Sequence, residues 1–138
     1  MDPKLFTLSE ANSLLPRLEP LLRRLRESYT EREQEGEVMD RFRRKATLDG
    51  GALPSDHLAE ARQEIARLSV ILQEGLHEIE SWGCVVKDPN LGLVDFVALR
   101  GNQRVFLCWH LGEPEIGFWH SLEEGFAGRK PIDQDFLA

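Results

Sequence analysis

Asp95 stands inside an otherwise apolar run, LVDFVAL. A carboxylate buried in such a run costs several kcal/mol unless it is paired or holds a cation. Cys108 and His110 lie two apart, so a strand would place them on one face. Glu113 follows closely and His120 ends the next apolar stretch. A thiol, two imidazoles and two carboxylates over residues 95–120 are the donor types of a divalent-metal site, with Zn or Fe the fitting ions. The spacing C-x-H-x2-E-x6-H follows no standard zinc signature. The same residues have plainer readings: Cys108 as a small buried hydrophobe, Asp95 as a turn-capping or Arg-paired carboxylate, His120 as a hydrogen-bonded core imidazole.

Other constellations carry less. Cys108 with His110 or His120 could form a thiolate–imidazolium pair, but no oxyanion hole can be argued beside it. Glu74 and His77 spell E-x-x-H, the pair found in di-iron bundles, yet such sites need two pairs plus two more glutamates. They read as a solvated helix face. The basic run Arg41-Phe42-Arg43-Arg44-Lys45 follows Glu31, Glu33, Glu35, Glu37 and Asp40, which favours self-neutralising helix pairs over nucleic acid. Gly125-Phe126-Ala127-Gly128-Arg129 fits no phosphate-loop pattern, although Arg129 could pair with an acidic group or an anionic ligand.

Two kinds of element must position these side chains. Thr7 and Glu10 spell a capping box that opens a first helix. Apolar residues recur at Leu8, Ala11, Leu15, Leu18, Leu22, Leu25 and Tyr29 in steps of 3 and 4, a heptad seam. Pro16 and Pro20 interrupt it, which predicts a kink or a broken first turn with the helix proper after Pro20. The seam lapses at Arg32 and Gly36, and Met39, Phe42 and Ala46 take up a drifted stripe. The stretch Thr47–Pro54 is a turn by composition, with Gly50 and Gly51 at its centre and Ser55 or Asp56 as the next cap. A second seam runs through Leu58, Ala61, Ile65, Leu68, Leu72, Gly75, Ile79 and Trp82. Two long helices joined by a short turn make an antiparallel, coiled-coil-like hairpin with partner numbers summing to about 101. Leu25 then meets Leu76, Gly36 meets Ile65, and Gly75 marks a close backbone approach. Residues before 18 have no partner on the second helix and must cover the C-terminal half or a second copy.

After Gly83 the period changes to two. Cys84–Lys87, Leu93–Leu99, Arg104–Trp109 and Ile116–His120 read as strands, with turn formers between them. Short links favour an antiparallel meander of three to four strands. The tail from Gly125 is loop-rich, and Phe126 and Phe136 need somewhere to pack.

The chain has 138 residues, 41% hydrophobic and 30% charged, which fits one globular domain over 1–138, helical over 1–82 and sheet with tail over 83–138. A net charge of −7 argues against a general nucleic-acid binder. No apolar run approaches the length of a membrane span, and MDPKLFTLSE lacks the layout of a secretory signal. Two cysteines, Cys84 and Cys108, make no disulfide framework and point to a cytoplasmic address.

The strings VKDPNLGLVDFVAL, VFLCWHLGEPEIGFWH and EEGFAGRKPI, with the opening FTLSEANSLLPRLEPLLRRLR, resemble a family of small bacterial proteins catalogued as domain of unknown function 2203. The pattern residues are Lys87, Asp88, Gly92, Asp95, Cys108, Trp109, Gly112, Glu113, Trp119, His120, Gly125 and Arg129. The resemblance implies a one-domain cytosolic protein and no particular activity. The family more often has Arg where this chain has His110, which shifts weight to Asp95, Cys108, Glu113 and His120.

The expected fold is therefore α+β, a helical hairpin followed by a small antiparallel sheet. Two functions are open. In one, the sheet binds a divalent metal or a small anionic ligand, with Asp95, Glu113 and His120 as primary ligands, Cys108 and His110 as further ones, and Arg129, Trp109 and Trp119 lining the site. In the other, the protein is a non-catalytic interaction module that forms a homo-oligomer through its helices, burying apolar stripes over residues 8–18 and 38–46. Convergence of Asp95, Glu113 and His120 on one point would favour the first; side chains that point to different faces would remove it.

Overall fold

A computed structural model describes residues 4–49 and 55–136. Helix α1 spans Leu8–Asp49 and helix α2 Ser55–Ser81. Strands β1 (Val85–Asp88), β2 (Leu93–Arg100), β3 (Gln103–His110), β4 (Phe118–Ser121) and β5 (Lys130–Pro131) follow in a single antiparallel sheet, in the order β1-β2-β3-β4-β5. The architecture is α+β. The sheet has five strands rather than three or four, because the tail returns to pair beside β4 through Phe118–Pro131 and Trp119–Lys130. A two-residue strand ending in proline carries no alternating pattern, and proline is tolerated there because β5 lies at the sheet edge.

The capping box forms as its spacing requires: the Glu10 N–H donates to Thr7 Oγ1 at 3.0 Å and the Thr7 N–H to Glu10 Oε1 at 3.3 Å. Helix α1 then runs unbroken through Pro16 and Pro20, against the expected break. Both prolines face solvent while Leu15, Leu18, Leu22 and Leu25 are buried. Each proline costs about 3 kcal/mol in a helix interior, but water solvates the carbonyls it frees, and each buried leucine contributes about 1.5–3 kcal/mol.

The two helices meet at Arg17–Trp82, Leu25–Gly75, Arg32–Ser69 and Phe42–His57, so partner numbers fall along α2 as they rise along α1. Gly75 gives the close approach expected of it: a Cβ there would overlap the Leu25 side chain. Gly36 has no such role, since a Cβ there meets open space. Ile65 packs instead on the cluster of Met39, Leu58 and Ala61. The central turn residues Gly50–Pro54 and the cap side chains of Ser55 and Asp56 lie outside the described residues. Glu74 and His77 are exposed.

The overhanging start of α1 covers the sheet of its own chain. Ala11, Leu15, Leu18 and Leu22 join Leu72 and Ile79 of α2 in one core with Val94, Phe96, Ala98, Val105, Leu107, Trp109 and Trp119. The stripes that self-association would use are thus occupied at Leu15, Leu18 and Met39 within one chain. Asn12 fastens α1 to the loop before β4 by accepting the Ile116 N–H at 2.8 Å. Phe6 bridges to Ala98 at the edge of β2, its N–H donating to Val97 O at 2.8 Å. No described helix is long and apolar enough to cross a membrane.

Candidate metal centre

The alternation of a strand sends every second residue of β2, β3 and β4 away from the helices. Register makes Asp95, Cys108 and Phe118 neighbours in one row of that outer face, and Val97, Phe106 and His120 neighbours in the next. A solvated face would leave these side chains wet. Here the tail folds back over them, and Asp95, Cys108 and His120 are each at most 2% exposed.

His120 crosses β3 to reach Asp95, Nε2 to Oδ2 at 3.1 Å. Its other ring nitrogen, Nδ1, meets the Ser121 carbonyl at 2.8 Å. A carbonyl only accepts, so Nδ1 carries a hydrogen, and Nε2 is the atom directed into the group. Donor atoms of Asp95, Cys108 and His120 all lie within 4.8 Å of one another. This buried trio could hold a metal ion. Zinc bonds of about 2.0–2.3 Å place tetrahedral ligands about 3.6 Å apart, so the widest pair would close by about 1 Å.

Burial raises the Asp95 carboxyl above its ordinary range; the charge and hydrogen bond of His120, the Cys108 thiol and the Lys87 charge pull it back part of the way. Burial and then the Asp95 charge push the Cys108 thiol up to about 12, with Arg129 opposing. A nucleophilic cysteine needs the reverse, a lowered pKa and an imidazole aimed at sulfur. The His120 Nε2 hydrogen bond goes to Asp95 instead. A thiol whose pKa burial raises to about 12 is a group that a dication deprotonates when it binds.

Beside the trio is a cavity of about 140 Å³, also lined by Lys87, Glu124 and Phe126. A larger cleft of about 360 Å³ between Phe6, Leu99 and Phe136 is mostly apolar and stands apart from the trio.

Of the three side chains expected to converge, Asp95 and His120 do so and Glu113 does not; His110 also stays out of the group. Glu113 Oε1 accepts from Arg129 Nη2 at 2.6 Å and from the His110 N–H at 2.6 Å. The His110 ring packs edge-on against Phe126 at 5.8 Å. Arg129 also donates to the Cys108 carbonyl at 3.1 Å and sits over the rings of Phe118 and Phe126, at 4.1 and 4.8 Å. It is a strut between the tail and β3, and its buried Nε has no hydrogen-bond partner among the described residues. Trp109 and Trp119 face the helices. The Trp109 indole donates to Glu113 O at 2.9 Å, and Trp119 packs on Phe136 beneath Arg100 and Lys130. Neither lines the cavity. Sequence reasoning missed the Ser121 carbonyl, for which no side-chain signal exists, and Glu124 and Phe126, which arrive from the tail.

A family model described as an uncharacterized conserved protein, DUF2203, matches residues 4–132, and the chain belongs to that family. No match is found among curated proteins or among solved structures.

Proposed function

We propose that this protein binds a divalent metal ion, Zn²⁺ or Fe²⁺, through Asp95, Cys108 and His120. The observation that carries the reading is the convergence of three buried donors of different type on one point, with His120 oriented by a second hydrogen bond from Nδ1 to the Ser121 carbonyl. Metal-bound imidazoles are held in this way, the outer nitrogen fixed so that the inner one is free to coordinate. A group that only stabilised the sheet would not need a thiol, an acid and an imidazole together. Three ligands beside a cavity also leave a fourth position open, the pattern of centres that take water or a ligand rather than of closed structural sites. Glu113 and Arg129 then hold the tail over the centre, and the helices, read as an antiparallel hairpin, supply the rigid layer behind it. The residues suit a reducing, cytoplasmic setting in which Cys108 stays a thiol.

The test is elemental analysis by plasma mass spectrometry on untagged protein, wild type beside His120→Ala and Cys108→Ser, with circular dichroism to verify folding. Near-stoichiometric metal in the wild type, lost in folded variants, is expected. Metal-free wild type that also takes up no Zn²⁺ or Fe²⁺ on reconstitution would overturn the proposal and leave an interaction module as the reading to pursue.

A further inference from the structure

We infer that the open position of this centre takes a small monoanion, with Lys87 as its counter-charge. The inference rests on the metal reading and adds a ligand class to it. With Asp95 and Cys108 ionised and His120 neutral, a dication leaves the coordinated group without net charge. The remaining wall of the cavity decides which ligand is favoured.

Two charged side chains line that wall, Lys87 and Glu124. Glu124 is already neutralised: Lys130 Nζ lies 2.8 Å from its Oε1, and the Ser121 N–H also donates to it at 3.3 Å. Lys87 has no carboxylate within ion-pair distance among the described residues. The nearby Asp88 carboxylate accepts from the Asn90 and Leu91 N–H groups at 2.9 and 3.1 Å. The one uncompensated charge at the cavity is therefore positive.

Lys87 is placed there by the alternation of β1. Val85 pairs with Asp95, so Lys87, two residues on, shares the outer face with Asp95, next to the register shift between Val86 and Asp88. Its ammonium then rests over the Phe106 ring at 4.5 Å, on the face that carries Asp95, Cys108 and His120. A lysine that lines the cavity with no carboxylate in ion-pair range attracts an anion by charge and distinguishes it from water or a neutral donor. Size narrows the class. At about 30 Å³ per water, 140 Å³ holds about four or five waters, which suits a carboxylate or an inorganic oxyanion.

The experiment uses cobalt-substituted full-length protein and azide as the probe, read by visible absorption. Wild type is expected to show cobalt bands that shift saturably with azide. Lys87→Gln should give the same azide-free bands and bind azide about fivefold more weakly, with Lys87→Arg restoring most of the loss. Cobalt bands that azide leaves unchanged, or equal azide affinity in wild type and Lys87→Gln, would overturn the anion inference and leave the metal reading standing. Failure of wild type to take up cobalt at all would instead remove the metal reading, and the anion inference with it.

Discussion

His120 on β4 reaches over β3 to place Nε2 3.1 Å from Asp95 Oδ2 on β2, so two residues that share no strand pairing form the buried polar contact of the sheet's outer face. Strands are spaced about 4.8 Å apart, and an imidazole is long enough to span the one between because it lies diagonally, beside Cys108.

This contact makes the two residues interdependent even without metal. In chelator-treated protein, His120→Ala should cost about 1–3 kcal/mol by urea unfolding, because it leaves the Asp95 carboxyl buried without its partner. Asp95→Leu combined with His120→Leu should cost less than the two single losses added together, since removing both partners strands neither. Strict additivity would mean that the contact contributes nothing to the fold.

Two glycines in helix α1 and helix α2 should respond with opposite sign. Gly36→Ala meets open space and gains helix propensity, so it should stabilise by up to about 1 kcal/mol. Gly75→Ala gains the same propensity but drives a methyl into Leu25, which is 1% exposed and has little room to yield. Overpacking costs about 1–3 kcal/mol, so a net loss is expected. In a Leu25→Ala background, compared with Leu25→Ala alone, Gly75→Ala should lose that penalty. Thermal melts of the four variants decide it.

Cys84 ties stability to alkaline pH. Burial pushes its thiol from 9.0 up to about 11, while the thiol points at the Ile79 carbonyl at 3.4 Å. Between those values the folded chain keeps a proton that the unfolded chain has released. Its contribution is therefore complete below pH 9 and is lost as pH rises toward 11. Two pKa units correspond to about 2.7 kcal/mol at most. Urea midpoints at pH 8 and 10.5 should fall steeply in the wild type and less steeply in Cys84→Ala, the residual slope belonging to Cys108. Equal slopes would show that Cys84 does not set the alkaline limit.

The sequence displayed the elements more fully than the site. Thr7 with Glu10, the leucine seams and the alternating strands are local signals; the cap and seams formed, and the strands formed within two residues of their expected bounds, the last at Phe118–Ser121 rather than Ile116–His120. Pro16 and Pro20 misled because propensity is local while the burial of Leu15, Leu18 and Leu22 against the sheet is not. Asp95 was visible as a carboxylate in an apolar run, and Cys108 and His120 as reactive types on strands of matching register. Glu113 was misplaced because its partner, Arg129, arrives by a tail path that no periodicity encodes. The same tail buries the outer face of the sheet around Asp95, Cys108 and His120, and it brought β5 with it.

Phe6 has a consequence for the society of chains rather than for the single molecule. β1 pairs with β2 only from Leu93 to Asp95, so the rest of that β2 margin would present bare peptide groups along Phe96–Arg100. Such a margin is a template on which another chain can add a strand. The Phe6 N–H occupies Val97 O, and its ring stands edge-on to Phe96 at 5.2 Å, so a single residue at the head of the chain blunts the place where sheets of two molecules would otherwise join.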